Sequence, residues 1–318
     1  MSTRSPAAPL LSVITPLFNC LPYTQAMVAS LLASIPARVS YEVILVDDGS
    51  TDGTREWLAT LGPPFRVVLN ERNLGFGGAT NRGAGVARGR VLALLNNDLV
   101  LARGWLRPML HALRSLGRRA GVVGNLQLNA ATNELDHAGI IVNLKGKPEH
   151  DRRPPRWVEH AFLPVRRVAA VTGACLLLRA DTWRTLGGFD EVFVNGCEDV
   201  DLCLRARDRG LRNAVALNSR VRHHISVSPG RKRRDEENTR RLVLRWRDTL
   251  AELASREWTW VHFCPIVPEP RDFPDNAEAL RMAAYLCHLR RPPPPTALAG
   301  MGEAIDAELA RWREMFSD

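Results

Sequence analysis

A chain of 318 residues, 45% hydrophobic and 24% charged, can bury a full core, so one large domain or one domain with an appendage is expected. Its formal charge of +9 favours an anionic partner such as a nucleotide, a phospholipid face or nucleic acid, without choosing among them. Apolar runs such as 168–178 hold about half the residues of a membrane span, and Met1 to Pro6 is too weakly charged and meets proline too early for a secretion signal, which points to a cytoplasmic chain.

The first half alternates apolar runs with helix-like segments. Strands are expected at 12–15, closed by Pro16, at 41–46, stopped by Asp47-Asp48-Gly49-Ser50, at 66–69, and at 91–95, ending on Asn96-Asn97-Asp98. Helices fit 24–32, 54–61 and the small-residue stretch 78–87. Uninterrupted β-branched and leucine runs separated by helices indicate an α/β fold with a largely parallel sheet covered on both faces. In such sheets the loops past the carboxyl ends of the strands form the ligand crevice. The second half is less regular. Further strands are expected at 122–123, 140–142, 168–178 and 214–217, a long mobile loop near the site at 148–164, and helices at 180–186 and 199–209. Past Arg231-Lys232-Arg233-Arg234 the composition shifts to helix formers over 237–254, and Pro292-Pro293-Pro294-Pro295 precedes a last helix at 301–316. Six cysteines, without a C-x-x-C pair and mostly in apolar context, suit buried thiols in a reducing compartment.

Four groups of residues carry the chemistry. Asp47-Asp48-Gly49-Ser50 is either a plain turn or a carboxylate placed to accept hydrogen bonds from a base or ribose. Gly75-Phe76-Gly77-Gly78 lacks the G-x-G-x-x-G spacing and follows the third strand, so it reads as a tight turn whose backbone approaches a ligand. Asp98 and the pair His223-His224, at two strand ends, can hold a divalent cation whose other ligands are diphosphate oxygens and water. Finally, Glu198, Asp199 and Asp201 crowd the first turn of a helix, where acids either complement the helix dipole or face a substrate. Trp157, Trp183, Phe189 and Phe193 are core residues or a floor for a sugar ring.

The ordered set from Val13-Ile14-Thr15-Pro16-Leu17-Phe18-Asn19 through Val46-Asp47-Asp48-Gly49-Ser50, Asn70-Glu71-Arg72-Asn73-Leu74-Gly75-Phe76-Gly77, Asn96-Asn97-Asp98, Thr172-Gly173-Ala174-Cys175, Gly187-Gly188-Phe189-Asp190-Glu191, Glu198-Asp199-Val200-Asp201 and His223 resembles the inverting family 2 glycosyltransferases of the GT-A fold. It is most similar to rhamnosyltransferase-like members acting on surface polysaccharides. The resemblance covers about residues 11–228.

That resemblance implies a Rossmann-like, mostly parallel central sheet flanked by helices, with a catalytic domain over 1–232 and a helical C-terminal extension over 233–318. It implies that Asp47, Asp48, Pro16, Phe18, Asn19, Asn73, Gly75 and Asn97 line a nucleotide pocket. Asp98 matches the last position of the family's D-x-D motif; Asn96 replaces the first aspartate, so one expected carboxylate is missing. With His223, or alternatively His224, Asp98 would bind Mg²⁺ or Mn²⁺. Asp199 matches the catalytic base, while Glu198 and Asp201 orient the acceptor or the helix, Asp201 by pairing with Arg205. The implied donor is a UDP- or dTDP-linked sugar and the acceptor a glycan or lipid-linked sugar, with the basic run at 231–234 a solvated surface or a contact with the inner face of the membrane. A nucleic-acid-binding protein, for which no reading motif is present, and an inactive nucleotide-binding relative are the alternatives.

Overall fold

Strands β1 (Leu11–Leu17), β2 (Tyr41–Asp47), β3 (Phe65–Leu69) and β4 (Val91–Leu95) lie parallel in the order β4-β1-β2-β3, as their apolar runs require. The structure is a computed structural model that describes residues 8–224, 234–263, 276–287, 289 and 299–316. Most of the 231–234 basic run, the four prolines and Cys264 lie outside the described residues, as does the side chain of Trp157. Helices α1 (Leu21–Ser34), α2 (Thr54–Leu58) and α3 (Gly75–Val86) connect the four strands.

The chain continues through β5 (Leu99–Leu101), α4 (Leu106–Ser115), β6 (Ala120–Asn129), β7 (Leu135–His137), β8 (Ile140–Val142), β9 (Pro148–His150), α5 (Trp157–Phe162), β10 (Val165–Arg167), β11 (Cys175–Arg179), α6 (Ala180–Leu186), α7 (Glu198–Asp208) and β12 (Arg212–His223). The main sheet runs β10-β12-β6-β11-β4-β1-β2-β3, with β5 on β12 and β7 on β6. It is mixed rather than mostly parallel: β11 enters antiparallel to both β4 and β6, and β10 is antiparallel to β12. The expected strand at 168–178 is broken. Residues 168–174 form a loop with a single bridge residue at Ala170, and its end groups are held at the margins of the neighbouring strands: Val168 N–H donates to Asn213 O of β12, and Ala174 O accepts from Asn96 N–H just past β4. The expected loop at 148–164 contains β9 and α5 instead, and α5 starts where Arg156 N–H donates to the Glu159 carboxylate.

Alternate residues of each strand face opposite layers. Val13, Val43, Leu45, Ala93 and Leu177 pack with Met27, Val28 and Leu31 of α1 and with Leu106, Met109, Leu110 and Leu113 of α4. On the other face α3 lies close to the sheet because Gly83 has no side chain. A Cβ there would sit 2.6 Å from Ile14 Cγ2 and 2.8 Å from Val46 Cγ2. Gly83→Ala is therefore expected to cost about 1–3 kcal/mol through overpacking, although alanine is the better helix former. Denaturant unfolding should show a lower midpoint at an unchanged slope; a stabilised variant would contradict the close contact.

The chain resolves into two compact units, 1–139 with 150–234, and 140–149 with 235–318. The second contains α8 (Asp235–Phe263), bent at Trp246, α9 (Asn276–Leu286) and α10 (Ala299–Met315). Its residues 140–149 carry Lys147, which lies 2.9 Å from buried Glu308 and 3.3 Å from Glu236. The Arg311 guanidinium, followed by Lys147, holds the Glu308 carboxyl down at about 2. No helix among the described residues is long and apolar enough to cross a membrane. No disulfide joins the five described cysteines, and burial pushes the Cys175 thiol up to about 12.

Candidate active site

Beyond the carboxyl ends of β1, β2, β3 and β4 the chain encloses a cavity of about 250 Å³. Pro16, Leu17 and Phe18 line it after β1, Asp48 after β2, Asn73, Gly75 and Phe76 after β3, and Asn96, Asn97 and Asp98 after β4. From the second half come Thr172, Gly173 and Ala174 ahead of β11, and Asn195, Glu198 and Asp199 around the start of α7. Asp98 and Asp199 thus open into one cavity.

Asp48 organises the glycine turn. Its carboxylate accepts from Asn70 Nδ2 at 2.8 Å, Leu74 N–H at 2.9 Å and Gly75 N–H at 2.9 Å. Burial still pushes its carboxyl above the ordinary value against these donors. The first amides of α3 are therefore occupied by protein oxygens: Gly75 N–H also donates to Asn73 Oδ1, and Phe76 N–H to Asn195 Oδ1 at 2.9 Å. The cavity is presented with the rim of this turn and the side chains around it, and not with a row of open N–H groups.

Asp47 and Asn19, expected in the nucleotide pocket, do not line it. Asp47 is fully buried and accepts from Gly49 N–H, Ser50 N–H and Arg55 Nε at 2.6 Å, so it ties its own loop together. Asn19 spans two loops, donating its N–H to Ser50 Oγ and accepting from Thr51 N–H. Asn97 does reach the cavity, anchored by a 3.0 Å bond from Nδ2 to Thr24 Oγ1 of α1.

Asp98 and His223 meet at the end of β12. Asp98 Oδ1 lies 3.0 Å from His223 Nε2, yet neither atom attains hydrogen-bond geometry with a protein partner, and both are buried. Buried polar atoms are nearly always partnered, so a carboxylate oxygen and an imidazole nitrogen left in this state fit a shared cation. His224 is turned elsewhere: its ring packs edge-on to Tyr23 at 5.1 Å, and only its backbone N–H reaches Asp98 O. Among the described residues no group of three His, Cys, Asp or Glu side chains forms a complete metal cage. The donor set matches a cation that keeps phosphate oxygens and water in its shell.

Asp199 is half-buried and fixed from both sides, Oδ2 accepting from Gly173 N–H at 2.6 Å and Oδ1 from Val200 N–H at 2.7 Å. Glu198 lines the cavity and accepts from Gly196 N–H, whereas Asp201 is fully buried and does not line it. Asp201 pairs with Arg205 Nε at 2.7 Å, and that guanidinium also donates to Leu186 O and Gly188 O, bracing the glycine turn ahead of α7. Trp183, Phe189 and Phe193 are buried core; Trp183 and Phe189 stack edge to face. Among the described residues, none of 148–164 lines the cavity. Gly173 and Asn195 were not expected to carry roles of their own. The first lay inside a presumed strand, and the second has its only sequence signal in an Asn-Gly turn, realised as a left-handed residue at φ 58°.

The α/β sheet covered on both faces opens at its carboxyl edge onto acidic loops and the Asp98–His223 pair, and the chain is similar in fold to a solved GalNAc-T7 structure with UDP, GalNAc and Mn²⁺, at a TM-score of 0.62 and 19% identity over 83% of this chain and 53% of that one. Residues 12–167 match the family model described as Glycosyl transferase family 2, and the chain carries a domain of that family. It is 28% identical over 272 residues to the N-acetylglucosaminyl-diphospho-decaprenol L-rhamnosyltransferase of Mycobacterium tuberculosis, covering 79% of this chain and 86% of that protein. It is 32% identical over 228 residues to the O-antigen biosynthesis protein RfbC of Myxococcus xanthus, covering 69% of this chain. The chain spans only 18% and 26% of the length of two of the curated relatives it matches.

Proposed function

We propose that this chain transfers a hexosyl or deoxyhexosyl unit, with inversion, from a nucleotide diphosphate sugar to a glycan or lipid-linked acceptor in surface polysaccharide synthesis, and that residues 1–232 carry the reaction while 233–318 form an extension. The observation that supports this most is that Asp98, with His223 beside it, and Asp199 line one and the same cavity. Inversion needs the acceptor hydroxyl to approach the anomeric carbon on the face opposite the departing diphosphate, so the base belongs away from the diphosphate site. Asp199 takes the hydroxyl proton on one carboxylate oxygen, held in aim by Gly173 N–H and Val200 N–H. Asp98 and His223 would hold the divalent cation, Mg²⁺ or Mn²⁺, which offsets charge on the leaving diphosphate when bound. Pro16, Phe18, Asp48, Asn73, Gly75 and Asn97 frame the nucleotide, for which the UDP and Mn²⁺ in the solved relative favour a UDP- or dTDP-linked donor. The lipid-linked acceptor in the name of the mycobacterial relative motivates contact of the protein with the inner face of the membrane.

The test is a melting-temperature panel of nucleoside diphosphates and their sugars with and without Mn²⁺. A ligand at about 100 times its Kd adds roughly 2.7 kcal/mol to the folded state, a rise of several degrees. UDP or dTDP with Mn²⁺ should give that rise; a flat panel would overturn the donor assignment.

A further inference from the structure

We propose that Asn195 is a positioning residue for Asp199, clasping the donor-side helix α3 to the loop that delivers the base; this deepens the transfer reading above and rests on it. Asn195 Oδ1 accepts the Phe76 N–H at 2.9 Å, a bond between residues 119 positions apart in sequence. The donor is the backbone of the turn that Asp48 holds, and the acceptor sits four residues before Asp199. The loop is in an unusual conformation to reach this point: Asn195 has φ 58° and Cys197, immediately before α7, has φ 70°. Left-handed backbone at two non-glycine residues costs free energy, and asparagine is the residue type that tolerates it best.

The contact closes a circuit. A Cβ placed on Gly173 would lie 3.1 Å from the Phe76 ring and 3.4 Å from Asp199 Cβ, so ring and carboxylate stem flank that glycine, whose N–H donates to Asp199 Oδ2. Asn195 thus holds Phe76 by its backbone, Phe76 packs on Gly173 by its ring, and Gly173 fixes the carboxylate four residues beyond Asn195. Gly75 allows the approach: a side chain there would begin 3.3 Å from Asn195 Oδ1. A turn that is also the rim of the donor pocket is in this way coupled to the aim of the base. Displacements of about 1 Å at such a point cost up to about 100-fold in rate.

Two variants separate the hydrogen bond from the backbone conformation. Asn195→Gly accepts φ 58° without strain but has no acceptor, while Asn195→Asp keeps an oxygen for the Phe76 N–H. Asn195→Gly should lower kcat by roughly 10–100-fold with the donor KM little changed. By hydrogen–deuterium exchange, its Phe76 amide should lose protection. Asn195→Asp should recover most of the kcat and the Phe76 protection. Wild-type kcat or unchanged Phe76 protection in Asn195→Gly would overturn the clasp, as would an Asp variant as impaired as Gly in both readouts. If the wild-type protein transfers no sugar, the functional reading fails by itself, and the exchange comparison still judges the clasp.

Discussion

Replacing Asp199 by Asn should lower kcat for sugar transfer by roughly 10²–10⁴-fold while nucleoside diphosphates bind as before. The substitution preserves shape and removes the only group that Gly173 and Val200 hold in aim within the cavity. An amide cannot take the acceptor proton. It also presents an NH₂ to one of two backbone donors, so one of these bonds is lost as well. Because the substitution keeps the shape of the side chain and leaves Asp98 and His223 untouched, the melting-temperature rise given by nucleoside diphosphate and Mn²⁺ should survive. Initial rates and melting curves on the same preparation check both halves. Unchanged turnover would make Asp199 a helix-capping acid and favour an inactive nucleotide-binding relative.

Replacing Asp98 by Ala should remove the Mn²⁺-dependent part of that melting-temperature rise and lower kcat/KM by about 10²–10⁴-fold, since a cation at a leaving diphosphate contributes several kcal/mol and each 1.36 kcal/mol is tenfold. The side chain supplies one of two buried, unpartnered ligand atoms facing each other, and position 96 carries an amide where a second carboxylate would stand. His223→Ala should weaken the Mn²⁺ response in the same direction, and His224→Ala should leave it intact, since the His224 ring lies against Tyr23. A full Mn²⁺ response in both Asp98→Ala and His223→Ala would end the metal assignment.

The sequence was most informative where local chemistry and fold agree. The strand-end aspartates, the Asn96-Asn97-Asp98 turn and the acidic start of α7 all lie where apolar runs stop, so the parallel half and its crevice followed from patterning. Helix α4 has an equally legible pattern, with Leu106, Met109, Leu110 and Leu113 at helical spacing. What could not be read locally depended on contacts distant in sequence. Residues 168–174 look like a strand because they are apolar, but they form a loop whose backbone is held by Asn96, Asp199 and Asn213, all distant in sequence. Asp47 and Asp48 are adjacent and chemically alike, and Arg55 together with the Gly49 and Ser50 amides holds one inward while the other faces the cavity. Asn195 gains its role from an amide 119 positions away, which no window of sequence contains.

The second unit takes residues from two places, 140–149 and 235–318, with Lys147 of the first stretch ion-paired to Glu236 and Glu308 of the second. During synthesis the early stretch leaves the ribosome well before the helices that receive it. Ile140, Val142 and the Lys147 ammonium must therefore wait in water until α8 and α10 have been made. This part of the protein can be completed only once α10 has been made, and a chain shortened ahead of α10 would leave that ammonium without the buried Glu308 carboxylate.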